Sequence, residues 1–171
     1  MDNSRLINLY NQKKYSELEF EIELLGDLET QLIPVIMIYA VSKALNPSSK
    51  KEDFVKAAYF FEKIYSQDKN NLEALYNLII VSIRCGVYNY VTHHLIERHK
   101  TNNKDQKVIE ALSKINFVLG NISESVHYLS KLIKINPNYP LAFEEYIISL
   151  NYISDKSQEE YFKQALEFDQ L

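Results

Sequence analysis

Apolar residues along this chain recur at spacings of three and four rather than two, the period of a helix with one buried face. Leu75 and Leu78, Ile109 and Leu112, and Phe143 and Tyr146 each make such a step, as do Phe61 with Ile64 and Leu129 with Leu132. Turn-forming residues break the pattern: the run Asn46-Pro47-Ser48-Ser49, then Gly86, Gly120 and Ser154, each fall where one apolar stretch has ended and the next has not begun. Five helix pairs are predicted. The first is Ser4 to Gln12 with Ser16 to Leu28, and the second Thr30 to Leu45 with Glu52 to Ser66. Leu72 to Cys85 with Tyr88 to His99 make the third, Asp105 to Leu119 with Ser123 to Ile135 the fourth, and Pro140 to Ile153 with Ser157 to Phe168 the fifth.

The pairs are copies of one another in outline. Leu75, Ile109 and Phe143 follow at intervals of 34 residues, as do Leu78, Leu112 and Tyr146, and Gly86, Gly120 and Ser154. In the second helices Phe61, Leu95 and Leu129 keep the interval of 34, and Phe162 follows at 33. Ile64, Leu132 and Ala165 sit three residues beyond the corresponding members, with Arg98 the exception. A fixed period of this size marks a stacked repeat. One helix pair has no means of burying both of its apolar faces, so each pair uses its neighbour, and about three are needed before the sum turns favourable. Each Leu or Ile buried in this way contributes about 1.5–3 kcal/mol. The expectation is a single repeat domain over residues 1–171, with pairs near 4–28, 30–66, 72–99, 105–135 and 140–168.

The repeat resembles the tetratricopeptide family, whose pattern is bulky residues at positions 4 and 7 of the first helix, a turn, Ala-x3-aromatic in the second helix and a late proline. Ala57-x3-Phe61 reproduces the second-helix signature, Asn70-Asn71-Leu72-Glu73-Ala74-Leu75-Tyr76-Asn77-Leu78 resembles the inter-repeat turn and first helix, and Ile135-Asn136-Pro137-Asn138-Tyr139 supplies the proline. The resemblance covers Lys51 to Asp169 best and implies an all-α fold, a right-handed superhelical solenoid of about five antiparallel helix pairs. Departures are Ile79 and Ile147 at the small position 8, and Val91, Ser125 and Gln158 at the small position 20. Leu6 to Tyr15 resembles the short opening repeat that precedes transferase domains in some multidomain bacterial proteins.

In this family the first helices line a concave groove. The resemblance places Glu73, Tyr76, Asn77, Ile80 and Arg84 there from the third pair, and Lys107, Glu110, Ala111, Lys114 and Val118 from the fourth. Leu141, Glu144, Glu145, Ile148 and Tyr152 follow from the fifth. Both charge signs and several apolar anchors suit a peptide or a partner helix. Some family members clamp a peptide's terminal carboxylates with five Lys, Arg and Asn side chains; Asn77 and Lys107 match two of these positions, but Ala111 stands where an Arg is required.

Composition narrows the field further. A net charge of −4 leaves no global cationic excess to track a phosphate backbone, which weighs against nucleic acid. Three glycines and four prolines supply few turns for a β architecture. The lone Cys85 has no internal disulfide partner and fits a buried small side chain in a reducing cytoplasm. The N-terminus MDNSRLINLYNQKKY lacks the pattern of a secretory signal. The most apolar stretch, Leu32 to Val41, is a core helix rather than a membrane span, being about half the roughly 20 residues a bilayer requires.

Candidate chemistry is thin. No glycine-rich phosphate loop, Gly-x-Ser-x-Gly, His-Glu-x-x-His or Cys-x-x-Cys occurs, so no catalytic residue and no cofactor is assigned. His93 and His127 occupy equivalent positions 34 residues apart, with His94 adjacent, but no carboxylate or thiol accompanies them at a ligand spacing; they are read as surface residues and no metal is assigned. The basic stretch Arg98 to Lys107 reads as a solvated inter-repeat loop. The leading expectation is a non-catalytic scaffold that binds a protein or peptide partner in the groove, without a membrane. The alternatives are the repeat region of a sulfotransferase-like or glycosyltransferase-like enzyme, and a secretion-type chaperone. The end face around Glu167 to Leu171 lacks a polar capping helix, which leaves two readings, self-association through terminal repeats or a truncated array.

Overall fold

The computed structural model describes residues 3–153. Among them are nine α-helices and no strand: α1 Asn3–Asn11, α2 Tyr15–Glu23, α3 Ile33–Leu45, α4 Lys51–Gln67, α5 Leu72–Cys85, α6 Thr92–Thr101, α7 Gln106–Val118, α8 Ile122–Ile135 and α9 Pro140–Leu150. Two compact units divide the chain, Met1–Val91 and Thr92–Leu171.

Local chemistry sets where the helices begin and end. α5 matches its expected bounds because Asn71 accepts from the Ala74 N–H at 3.0 Å at one end, while Gly86 turns left-handed at φ +70° at the other. α2 stops at Glu23, five residues short of the expected Leu28; the chain turns at Gly26 (φ +90°), and Asp27 then caps a short 3-10 turn, Leu28–Thr30. α3 opens at Ile33 rather than Thr30, with Pro34 in its first turn, where a missing N–H is tolerated. α6 starts at Thr92, four residues after the expected Tyr88, because Val91 N–H closes a turn on Tyr88 O at 3.1 Å. α9 ends at Leu150, three residues before the expected Ile153. The expected helix Ser157 to Phe168, with Phe162, Ala165 and Gln158, lies outside the described residues, as do Ser154 and the end face Glu167 to Leu171.

In the first unit each helix packs on the one before it, and α3 also reaches α5, so successive pairs stack as the period requires. Leu18, Ile22, Tyr39, Ala57, Phe61, Ile64, Leu75 and Leu78 are buried there. Cys85 is a buried free thiol, in keeping with its expected place in the core. Both halves of the Ala57-x3-Phe61 signature are at 0% exposure, which is what a small residue admitting an aromatic ring demands. In the second unit α6 packs on α7, α7 on α8 and α8 on α9. Its core gathers Ile109, Leu129, Leu132, Ile133, Ala142, Tyr146 and Leu150, with Phe143 half-buried against it. The repeat registers therefore mark buried positions, and Arg98, the polar exception, turns to Asp105 at 3.4 Å.

A polar junction joins α2, α3 and α4. Lys43 lies 2.8 Å from Glu19 and 3.1 Å from Asp53, and Asn46 donates to Glu19 at 3.1 Å. Tyr39 donates to Glu23 at 2.5 Å, and Lys56 sits 3.6 Å from the same carboxylate. Burial pushes the Glu23 carboxyl up, but the Tyr39 hydrogen bond and the charges of Lys43 and Lys56 outweigh it and hold the group below its ordinary range. Asp53 is also held low, first by the Lys50 backbone N–H it accepts, with burial opposing and Lys43 adding. Burial, then the hydrogen bond to Glu23, raises the Tyr39 hydroxyl far above its usual range.

Candidate functional site

The second unit presents the clearest candidate surface. On α7 the buried stripe Val108, Ala111, Leu112 and Ile115 follows helical spacing, which leaves Lys107, Glu110, Lys114 and Val118 on a different face. Ala111, expected beside them, falls instead within the buried stripe, at 2% exposure. On α9 the residues Ala142, Tyr146, Ser149 and Leu150 turn inward, while Leu141, Glu144 and Ile148 are exposed and Glu145 is half-buried.

Two contacts join these faces. Lys114 pairs with Glu110 at 2.5 Å along α7 and with Glu145 of α9 at 3.6 Å. Phe117 meets Tyr152 edge to face, with ring centroids 5.4 Å apart. Burial works against the Lys114 charge, but the hydrogen bond and charge of Glu110, with Glu145 behind, keep the ammonium above its ordinary range. Tyr139, just before α9, is raised by burial and by a hydrogen bond with Glu110. Around this ionic centre lie Val118, Leu141, Ile148 and Tyr152, each more than half exposed. Such a surface offers apolar area with a fixed charge pattern; it carries no arrangement of nucleophile and base. Phe117 and Tyr139 were not among the expected site residues. Phe117 was within reach, since it follows Lys114 by three residues, whereas the reach of Tyr139 across to Glu110 has no periodic signal.

In the first unit, α5 exposes Glu73 and Ile80 and leaves Tyr76 and Asn77 half-buried. Arg84 is engaged within its own unit: its guanidinium lies 4.2 Å from the centre of the Phe54 ring, and it donates to Ala44 O at 3.0 Å. The histidines separate. His93 and His127 are exposed as expected, but His94 is buried at 1% exposure, because it adjoins Leu95 on the inward side of α6. The rings of His93 and His94 lie 3.7 Å apart. No helix among the described residues is long and apolar enough to cross a membrane.

Solved structures of MamA share this architecture. MamA MSR-1 aligns with a TM-score of 0.70 at 17% identity, over 98% of this chain and 94% of its own. MamA from Desulfovibrio magneticus RS-1, residue 41 to its end, aligns with a TM-score of 0.70 at 12% identity, covering 98% and 93%. A further crystal structure of MamA protein reaches a TM-score of 0.73 at 13% identity, covering 96% and 88%. The fold is a tetratricopeptide-like helical repeat. No family model and no curated protein matches the chain in sequence.

Proposed function

We propose that this chain is a non-catalytic protein-interaction module that holds a peptide or a partner helix against the α7–α9 face. The observation that carries this reading is the exposed apolar set Val118, Leu141, Ile148 and Tyr152 around the Glu110–Lys114–Glu145 centre. Single exposed apolar side chains are ordinary on any surface, but several on one face, with an aromatic ring braced by Phe117, supply contact area at little entropic cost. The charges set the direction in which a partner lies, and the apolar residues set how tightly it is held. On α5, Glu73, Tyr76, Asn77 and Ile80 offer a separate stretch of similar character, with Arg84 contributing least because its charge is already engaged. A reducing cytoplasm is the setting in which lone Cys85 remains a thiol. Nothing in the comparisons favours the transferase or chaperone alternatives.

The test is co-purification of the full chain from its native extract, in parallel with Ile148→Arg and Tyr152→Ala. Both side chains are exposed, so the variants should fold; a specific protein should be recovered with the parent chain and reduced at least about tenfold by each change. Recovery unaltered by both changes would remove the α7–α9 face from the account.

A further inference from the structure

Five cations among the described residues are partly withdrawn from water: Lys43, Lys63, Arg98, Lys114 and Lys131. Four of them face a carboxylate. Lys43 has Glu19 and Asp53, Lys63 has Glu29, Arg98 has Asp105, and Lys114 has Glu110 and Glu145. Lys131, on α8, instead lies 3.0 Å from Nε2 of His99 on α6. An ammonium has three donors and no acceptor, so it donates to the imidazole lone pair. A neutral ring replaces one contact with water and none of the lost charge stabilisation, which makes Lys131 the under-compensated member of the five.

The surroundings repeat the imbalance. With its Nε2 lone pair engaged by Lys131, His99 is a neutral ring whose proton is on Nδ1, and that atom is buried without a partner. Tyr128 stands edge to face with the His99 ring at 5.5 Å, and His127 lies 5.6 Å from Tyr128. Burial, then the charges of Lys131 and His127, hold His99 below its ordinary range, and no carboxylate opposes them. The charged groups on the packed helices are of both signs. α6 adds Arg98, already turned to Asp105, with exposed Lys100 and Glu97; α8 adds exposed Lys134 and Glu124, and neither of these two glutamates is among the groups that shift His99. On α7, Lys114 is engaged with Glu110 and with Glu145, and Lys107 shares their helical face.

We infer that Lys131 and His99 form a binding site for a phosphate-type dianion between α6 and α8. Lys131 supplies one fixed positive charge. His99 supplies the second by taking a proton from solvent as the anion arrives, whereupon Lys131 exchanges the imidazole for the anion's oxygens. Two charges on the protein match two on the ligand, so a dianion is favoured over a monoanion such as acetate. Proton uptake makes binding tighter as pH falls through the titration of the free ring.

The experiment is a histidine-ring NMR titration of the full chain between pH 5 and 8, with inorganic phosphate added at constant ionic strength against sodium chloride. His99→Gln assigns the signal. The expected result is a saturable shift at His99, a titration midpoint raised by about one pH unit at saturation, and an affinity for the phosphate dianion, after allowing for the anion's own ionisation over the same range, that weakens about tenfold from pH 6 to pH 8. Lys131→Gln should abolish saturation, whereas Lys134→Gln, on the same helix but exposed, should leave it within about twofold. O-phosphoserine in a parallel arm shows whether a free or a carried phosphate is preferred; tighter binding of either one supports the site and names the source. A non-saturating response, an equal effect of chloride or acetate, or saturation that survives Lys131→Gln overturns the assignment.

Discussion

Lys43 and Lys114 draw carboxylates from neighbouring helices in similar fashion, yet one junction is closed and the other open. Lys43 is 12% exposed, and Glu19 and Asp53 approach it at 2.8 and 3.1 Å. Lys114 is 37% exposed, and its looser contact, Glu145 at 3.6 Å, lies on a surface shared with Ile148 and Tyr152. The difference is solvent. A withdrawn cation held between carboxylates of two neighbouring helices fixes α2, α3 and α4 in place, whereas a wetted ion pair is worth little to stability and exchanges readily with charges on a partner.

The largest effect should follow from opening the closed junction. Lys43→Met leaves the Glu19 carboxylate, 11% exposed, without a cation and is expected to destabilise the chain by about 3 kcal/mol in urea unfolding followed by circular dichroism. Next comes Asp105→Ala in the second unit. It removes the cap that accepts from Val108 N–H as well as the partner of Arg98, and should cost about 2 kcal/mol in the same assay. Acid should act on the closed junction in a graded way. Glu23 and Asp53 are held below their ordinary ranges, so their stabilisation is complete above the values they have in the unfolded chain and is lost as pH falls through the lowered folded values. Urea midpoints should therefore drop below about pH 4, and Asp53→Asn should flatten that drop; a parallel curve for the variant would contradict the assignment. Smallest of all, Lys114→Met should shift stability by less than about 1 kcal/mol. Equal losses at Lys43 and Lys114 would erase the distinction between the two junctions.

Much of the architecture was legible because it repeats. Leu75, Leu78, Ile109, Leu112, Phe61 and Leu129 are buried where the 34-residue register places them, and α5 ends at the glycine that the sequence displays. Boundaries slipped where the backbone, not the apolar pattern, decided. The turn at Gly26 and the Tyr88–Val91 turn each shortened a helix whose hydrophobic spacing continued past the break. The candidate face was half legible: Glu110 and Lys114 are a helical i, i+4 pair visible in the sequence, while Glu145, Tyr139 and Tyr152 join them only once α9 lies beside α7. Ala111 and His94 were placed outward by position alone, and packing turned both inward. The Lys43 junction had no sequence signal, because its members come from three helices and read separately as ordinary surface residues.

Site-specific photocrosslinking asks most directly whether the α7–α9 face is the docking surface. A benzophenone side chain placed at Ile148 or Tyr152, both exposed, and in separate chains at the exposed control positions Glu52 and Glu124, would be irradiated in the native extract. One discrete crosslinked protein from Ile148 and Tyr152, absent from the two controls, is the expected result. The same product from all four positions, or from the controls alone, would contradict it.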